Sequence, residues 1–181
     1  RRGDVITKRL HVLIVGSGGR ESTLFWKIQQ SPLVGKLVCT PGNGGIPSEY
    51  RRSVPVMDFA GILRLCKSEE IGLVVVGPEA PLCAGLVDYL AMHGIKAFGP
   101  RKIPAQLEAS KVDMKIMCQR LGIPTAEFDF SGAYKVSEKI IKRMGGELVI
   151  KADGLCGGKG VFVCHTEEQV LAAAAICQTE K

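Results

Sequence analysis

The chain has 181 residues, of which 46% are hydrophobic and 23% are charged, and its formal net charge is +6. These values fit a globular protein of one large or two small domains, and no apolar run approaches the roughly 18 residues of a membrane span. The Lys and Arg residues are scattered and not interleaved with aromatic residues, so we expect anionic small molecules as partners, with no nucleic acid and no membrane.

The first hundred residues alternate short β-branched runs with amphipathic segments, a pattern typical of parallel strands crossed by helices. The predicted strands are 11–16, 36–40, 52–57, 73–77 and 96–99, and the predicted helices are 21–30, 59–70 and 82–94. We expect an α/β fold with an open, doubly wound parallel sheet. Ligands of such sheets bind beyond the carboxyl ends of the strands, where the sequence has "GSGGRE" (16–21), "PGNGG" (41–45) and "GPEAPL" (77–82).

The remaining residues follow a different pattern. "GPRKIPAQ" (99–106) is typical of a linker, and a helix is predicted over 108–122, which Pro124 cannot extend. A strand (125–130), a helix (134–145), two strands around a glycine-rich loop, and a helix begun by a Thr166/Gln169 capping box complete the prediction. We expect an α/β domain over 1–103 and an α+β domain over 104–181.

The seven cysteines are odd in number and show no CxxC spacing, so we expect reduced thiols in a cytoplasmic protein without structural zinc. The basic N-terminal segment lacks the apolar core of a signal peptide. Because the sequence does not begin with Met and stops inside a helix-like pattern, we also expect it to be part of a longer chain.

The loop "GSGGRE" follows a strand and opens a helix, an arrangement that offers backbone N–H groups to a phosphate. A dinucleotide fingerprint needs glycine at its first, third and sixth positions, and here the sixth is Glu21. NAD binding, and with it a nicotinamide-dependent oxidoreductase, is therefore disfavoured. A tight turn without a ligand remains the alternative.

The loops "PGNGG" and "GPEAPL" also follow predicted strands. The first is a turn by composition. In the second, Glu79 lies between two prolines, and a stiff loop could hold its carboxylate toward a ligand amine or hydroxyl. Each loop is a weak signal alone, and their common placement strengthens the prediction of one crevice.

The stretch "LVIKADGLCGGKGVFV" (148–163) is not a Walker loop, because its glycine spacing is too short, Gly160 follows Lys159, and a strand pattern comes next. A glycine-rich hairpin of this kind can close over a triphosphate and bind oxygens with its N–H groups. Lys151 would direct a positive charge at those phosphates. A mobile hairpin with a solvated Lys159 is the alternative.

Eight ordered motifs resemble the N-terminal portion of the phosphoribosylamine–glycine ligase (glycinamide ribonucleotide synthetase) family of the ATP-grasp superfamily. They are "VLIVGSGGRE", "PGNGG", "VVVGPEAPL", "GLVDYL", "FGP", "AQLEASK", "GIPTA" and "KADGLCGGKGV". The resemblance implies a pre-ATP-grasp sheet followed by part of an ATP-grasp domain. It also implies ligation of glycine to 5-phosphoribosylamine in purine biosynthesis, driven by ATP through an acyl phosphate.

The resemblance assigns two sets of residues. The substrate-binding set is Gly18, Gly19, Arg20, Glu21, Asn43, Glu79 and Pro81. The ATP-binding set is Lys111, Lys151, Gly157, Gly158, Lys159 and Gly160. It implies Mg²⁺ as well, with metal ligands expected downstream and none within this chain, and it leaves open membership of a multifunctional purine-synthesis polypeptide.

Two positions depart from the family pattern. Ser22 stands where the family commonly has His, and Cys156-Gly157 replaces a more usual pair of alanines. The first change removes an imidazole near the predicted crevice. Because the adenine-binding and metal-binding segments of the family lie further downstream, we expect this chain alone to lack a complete active site. The alternative is a non-catalytic module that binds nucleotides or ribose phosphates.

Overall fold

The structure is a computed structural model and describes residues 9–130, 138–143, 145, 147–157 and 160–179. The chain divides into two compact units, Arg1–Ala105 and Gln106–Lys181. The predicted boundary after residue 103 stays a prediction.

The first unit is built on a four-stranded parallel sheet with the order β2-β1-β3-β4. Its strands are β1 (Leu10–Gly16), β2 (Val34–Pro41), β3 (Leu73–Val76) and β4 (Ala97–Phe98). The helices are α1 (Gly19–Ile28), α2 (Phe59–Ser68), α3 (Glu79–Ala84) and α4 (Leu86–Met92), and α5 (Lys102–Ala109) spans the division between the units. Since β2 and β3 both flank β1, the strand order reverses between β1 and β3, where ligands of doubly wound sheets bind.

Alternating side chains of the strands serve two cores, one on each face of the sheet. Leu13 and Val15 of β1 pack with the apolar sides of α2 and α4. Val12 and Ile14 face the opposite way and pack with Phe25 of α1. Burial on both faces explains why β1 is a continuous apolar run, and the doubly wound prediction is confirmed.

Two predicted elements of this unit are wrong. No strand forms over 52–57, where only an isolated bridge joins Cys39 to Arg51. The predicted helix 82–94 is two helices, because Gly85 takes a φ of 98° that ends α3 and starts α4 in a new direction.

Three charged side chains, Glu69, Arg52 and Lys36, form a cluster at the end of the sheet opposite the carboxyl ends of its strands. The Glu69 carboxylate, at the end of α2, accepts hydrogen bonds from Arg52 and pairs with Lys36 of β2. The pKa of Glu69 falls from its ordinary 4.5 to about 2, first because Arg52 donates to the carboxylate and then because Lys36 does. The cluster therefore ties α2 to β2 while the carboxylate is ionised.

Glu69→Gln is expected to lower the free energy of unfolding at pH 7 by about 2 kcal/mol, the value typical of hydrogen bonds to a charged group. A folded pKa below the unfolded one gives stability above pH 4.5 that is lost as the pH falls toward 2. Urea unfolding between pH 7 and pH 2 should show this loss in the wild type and not in the variant. Glu70→Gln, at the exposed neighbour, is the control, and a wild-type curve parallel to that of Glu69→Gln would contradict the prediction.

The second unit contains an antiparallel hairpin of β5 (Leu148–Lys151) and β6 (Val161–Cys164). Its helices are α6 (Lys111–Leu121), α7 (Glu138–Arg143) and α8 (Glu167–Thr179). One face of the hairpin packs on α7 and α8 through a core that includes Ile141, Val170 and Ala173. The predicted hairpin around the glycine-rich loop is confirmed.

Other predictions for this region need correction. The linker 99–106 is partly helical, since α5 begins at Lys102, and the helix predicted over 108–122 is interrupted at Ser110, which caps α6. Residues 125–130 form no strand. The helix predicted over 134–145 is present at 138–143, while 134–137 and 144 lie outside the described residues. None of the described helices combines the length and apolar character of a membrane span.

Candidate active site

Three loops leave the carboxyl ends of neighbouring strands at one edge of the sheet. Gly16 and Pro41, the last residues of β1 and β2, are register partners, and the Gly42 N–H donates to the Gly16 carbonyl. On the other side of β1, the Gly77 N–H donates to the Val15 carbonyl. The loops after β1, β2 and β3 therefore lie side by side, as the sequence predicted.

The Asn43 side chain joins the loop after β2 to the loop after β1. Its Nδ2 donates to the carbonyls of Ser17 (3.0 Å) and Gly18 (2.8 Å). Its Oδ1 accepts from Ser22 Oγ (2.8 Å) and from the Gly45 N–H (2.8 Å). Both donors and both lone pairs of the carboxamide are thus used within the protein. The structure places Asn43 between the loops after β1 and β2, which it joins as a brace.

Asn43→Asp is expected to lower the free energy of unfolding by about 2 kcal/mol, because a carboxylate oxygen would face the two carbonyls that Nδ2 now serves. Ser22→Ala removes one of the four bonds and should cost less than about 1 kcal/mol. Chemical denaturation of both variants tests this ranking. Equal stability of Asn43→Asp and the wild type would show that the brace contributes nothing.

Glu21 lies beneath the loops, and only 4% of its surface is exposed. Its Oε2 accepts the Gly18 N–H at 2.5 Å. The carboxylate fills a space that glycines leave open, since a Cβ on Gly16 would lie 2.5 Å from Glu21 Cδ, and one on Gly77 would lie 1.9 Å from Oε1. Glu21 therefore shapes the loop after β1 from below.

Arg20 connects the loop after β1 to the loop after β3. Its guanidinium donates to the Gly77 carbonyl (2.7 Å) and to Glu79 Oε1 (2.9 Å). The pKa of Glu79 is lowered, first by a hydrogen bond from its own backbone N–H and then by Arg20. Glu79 is therefore a carboxylate at neutral pH, and 31% of its side chain is exposed.

Helix α1 starts at the same crevice without a side-chain cap. Gly18 is its N-cap residue, and Gly18 and Gly19 are exposed. The N–H groups of a first helical turn and the positive end of the helix dipole favour an anion such as a phosphate. Pro81 differs from the other predicted substrate contacts, because it is buried within α3.

Cys39 ends the apolar part of β2 below the loops. Burial raises its pKa to about 11, and the nearby charge of Glu21 adds to the increase. Its thiol points to the Gly16 carbonyl at 3.6 Å. A thiol that stays protonated at neutral pH is a poor nucleophile, so Cys39 belongs to the core.

In the second unit, Lys151 is exposed at the end of β5. Because side chains alternate along a strand, Lys151 shares its face with Val149, opposite the core formed with α8. Val161 and Val163 of β6 are register partners of these two residues and are exposed as well. The hairpin thus presents an apolar face with one lysine at its edge.

Lys111 begins α6, and its Nζ donates to the Gly154 carbonyl at 2.8 Å. The lysine therefore lies at the start of the glycine-rich loop, and its role in phosphate binding stays a prediction. Gly157 takes a φ of 56° and Gly160 is buried against Cys156. Gly158 and Lys159 were also predicted to bind ATP, and they lie outside the described residues.

Metal ligands were not predicted within this chain. Over the part of the chain that the structure describes, no group of three or more His, Cys, Asp or Glu side chains is placed to hold a metal ion.

Sequence reasoning missed the residues that organise the loops. Ser22 was noted only as a departure from the family pattern, yet its hydroxyl helps to orient Asn43. Asp153 was not singled out, although it accepts hydrogen bonds from the first turn of α6. Both contacts join residues far apart in sequence, and no local pattern signals them.

Family models match both units in order. The N domain of phosphoribosylglycinamide synthetase matches residues 10–108, and the ATP-grasp (A) domain of the same enzyme matches residues 109–181. The first match ends within α5, near the division of the chain into two units.

Known relatives agree with the family models. A phosphoribosylamine–glycine ligase of Agrobacterium fabrum is 47% identical over 169 residues, which are 93% of this chain and 40% of that protein. The crystal structure of a Thermotoga maritima phosphoribosylamine–glycine ligase is similar at a TM-score of 0.65 and 30% identity, over 90% of this chain and 38% of the other. A Campylobacter jejuni biotin carboxylase, with a TM-score of 0.66 and 17% identity over 96% of this chain and 42% of the other, shares the fold.

The chain spans about 40% of the length of the curated relatives that it matches. Both family models together cover residues 10–181, and the predicted resemblance is confirmed. The chain belongs to the phosphoribosylglycinamide synthetase family.

Proposed function

We propose that this chain supplies the phosphoribosylamine-binding unit and part of the ATP-binding unit of a phosphoribosylamine–glycine ligase. The observation that carries the proposal is the match of the N domain and the ATP-grasp domain, in that order, over residues 10–181. In the reaction, the glycine carboxylate takes the γ-phosphoryl group of ATP and ADP leaves. The amine of 5-phosphoribosylamine then attacks the acyl carbon, phosphate leaves, and the amine loses a proton as the amide forms.

In this proposal the first unit holds phosphoribosylamine at the crevice between β1 and β3. The first turn of α1, which begins at Gly19, binds the 5-phosphate with its N–H groups, since the N-cap residue has no side chain to occupy them. The Gly18 N–H already donates to Glu21 Oε2, so Gly18 contributes by leaving room for the phosphate. The Glu79 carboxylate is ionised and partly exposed, so it accepts a hydrogen bond from the substrate amine or a ribose hydroxyl. Arg20 holds Glu79 in place.

We assign different roles to the residues of the predicted substrate set. Asn43 and Glu21 act through the loops that they support, since the Asn43 carboxamide is fully used and Glu21 is buried. Pro81 acts through the packing of α3. The direct contacts are then the backbone N–H groups of the first turn of α1, from Gly19 onward, together with the side chain of Glu79.

In the second unit, Lys111 and Lys151 neutralise the phosphates of ATP, and Gly157 and Gly160 belong to the loop that contacts them. Both lysines sit beside the glycine-rich loop, at the start of α6 and at the end of β5. Catalysis of phosphoryl transfer depends mainly on positioning and charge, which lysines supply. Use of Mg²⁺ and a cytoplasmic location remain predictions.

The test is phosphate release by the natural protein that carries this sequence, assayed with ATP, glycine and phosphoribosylamine together and with each substrate omitted in turn. The proposal expects turnover only with all three. Binding of ribose 5-phosphate without turnover, in the wild type and in Ser22→His, would instead indicate a non-catalytic binding module.

A further inference from the structure

The first turn of α6 lies against Asp153 and Gly154, which come shortly after strand β5 of the hairpin. Apolar packing does not account for this contact. Helix α6 contributes no buried residue. The core of the second unit is formed by α7, α8 and the hairpin. Polar contacts must therefore hold α6 at this point.

Asp153 provides those contacts. Its Oδ1 accepts the Lys111 N–H at 2.7 Å and the Val112 N–H at 3.3 Å. The Ser110 hydroxyl lies 3.1 Å from Oδ2 and donates to the same carboxylate. These bonds join residues 41 to 43 positions apart in the chain. One carboxylate thus fastens the end of β5 to the start of α6.

Capping of α6 alone does not explain Asp153, because Ser110 already caps the helix by accepting the Asp113 N–H at 3.0 Å. Asp153 instead takes the first two N–H groups of the helix, which the Ser110 side chain does not serve. A carboxylate at a helix N-terminus also interacts favourably with the helix dipole. An anion-binding position that could have taken a phosphate is therefore filled by the protein itself, and phosphate binding at α6 is left to the Lys111 side chain.

We infer that Asp153 is a positioning residue for the phosphate-binding lysines. Its carboxylate fixes the position of the Lys111 backbone relative to Asp153. Asp153 in turn lies two residues after Lys151 in the chain, so the two lysines are connected through it. The bond from Lys111 Nζ to the Gly154 carbonyl at 2.8 Å closes the same connection from the other side. The inference rests on the proposed function for the role of the two lysines, while the fastening rests on the contacts of Asp153 alone.

The experiment compares Asp153→Ala, Asp153→Asn and Glu147→Ala in the natural protein that carries this sequence. Amide hydrogen exchange at Lys111 and Val112 measures the fastening, and the KM for ATP is measured apart from kcat. Glu147→Ala is the matched control, since it removes a carboxylate near β5 that is 79% exposed. In Asp153→Asn, Oδ1 still accepts the two N–H groups.

For Asp153→Ala we expect exchange at Lys111 and Val112 to become about tenfold faster and the KM for ATP to rise about tenfold, the ratio that the loss of one charged hydrogen bond gives. Asp153→Asn should recover most of both effects, and Glu147→Ala should show neither. A uniform loss of stability would instead speed exchange at amides throughout the second unit, and not at Lys111 and Val112 alone.

Two results would overturn the inference. One is exchange in Asp153→Ala that equals the control, and the other is faster exchange with an unchanged KM for ATP. If the wild type showed no ATP-dependent turnover, the proposed function would fail and the phosphate-positioning role with it. The exchange measurement would then still decide whether Asp153 fastens α6 to the hairpin.

Discussion

Gly77→Ala is expected to lower the free energy of unfolding by about 2 to 3 kcal/mol. The new Cβ would lie 1.9 Å from Glu21 Oε1 and 2.6 Å from Cδ, so the buried carboxylate would have to leave its place. In doing so it would lose the hydrogen bond from the Gly18 N–H. Loss of that charged hydrogen bond and the repacking of a full site account for the expected size. Urea unfolding of the two proteins measures it.

A double-mutant cycle identifies the cause. In a Glu21→Ala background the obstructing side chain is gone, so Gly77→Ala should cost little further stability. Gly16→Ala should keep part of its cost in that background, because Gly16 has a φ of 139°, which strains any residue with a Cβ. Gly19→Ala, where a Cβ meets nothing within 4 Å, is the neutral control. If Gly77→Ala cost the same with and without Glu21, the contact would not be its cause.

The sheet of the first unit was predictable because its strands are buried on both faces. Buried strands are short apolar runs that stand out from the amphipathic helices between them. The loops at their carboxyl ends then follow from the chain order, and so does the crevice. The predictions at β1, β2 and β3 held within one or two residues.

The false strand at 52–57 shows what such patterns leave out. Its β-branched residues favour a strand, yet after the Arg52 N–H, which donates to the Cys39 carbonyl of β2, the next backbone groups bond to a side chain. Thr40 Oγ1 contacts the carbonyls of Arg52 and Val54 and accepts the Val54 N–H. Because a hydroxyl of β2 takes the bonds that further strand pairing would have used, the sequence of the segment alone cannot show that the strand fails.

Residues 125–130 fail as a strand for a similar reason. The Lys115 ammonium donates to Thr125 Oγ1 (2.7 Å) and to the Ala126 carbonyl (2.9 Å), and it lies over the Phe128 ring. A side chain of α6 therefore holds this segment, and Arg143 of α7 pairs with Asp129 in it. Strand propensity describes a residue on a pleated, half-buried surface, and no such surface is present here.

The convergence of the three loops was predictable, and the contacts made within them were less so. Glycine loops, Arg20 and Glu79 stand out because they follow strands directly. The support by Asn43, Ser22 and Glu21 depends on which atoms meet after folding. A carboxamide that is free to bind a ligand and one that is fully used look the same in a sequence.

Lys151→Met is expected to lower kcat/KM of the proposed ligase reaction about 100-fold, the loss typical of one charged group that stabilises a transition state. The side chain is exposed and apart from the core of its unit, so the fold should keep its stability. Lys111→Met should lower kcat/KM to a similar extent, with a small loss of stability because its bond to the Gly154 carbonyl is lost too. Steady-state kinetics with ATP as the varied substrate, together with thermal unfolding of each variant, measures both quantities.

Lys67→Met is the matched control, because Lys67 is an exposed lysine in the last turn of α2, in the other unit. It removes the same charge and should leave kcat/KM unchanged, which separates a local effect from a change in the field of the whole protein. High salt should weaken long-range attraction of ATP in every variant alike, and direct phosphate contacts much less. A 100-fold loss in Lys151→Met that vanished at high salt would mean that the lysine attracts ATP from a distance. Direct contact with the phosphates requires the loss to persist.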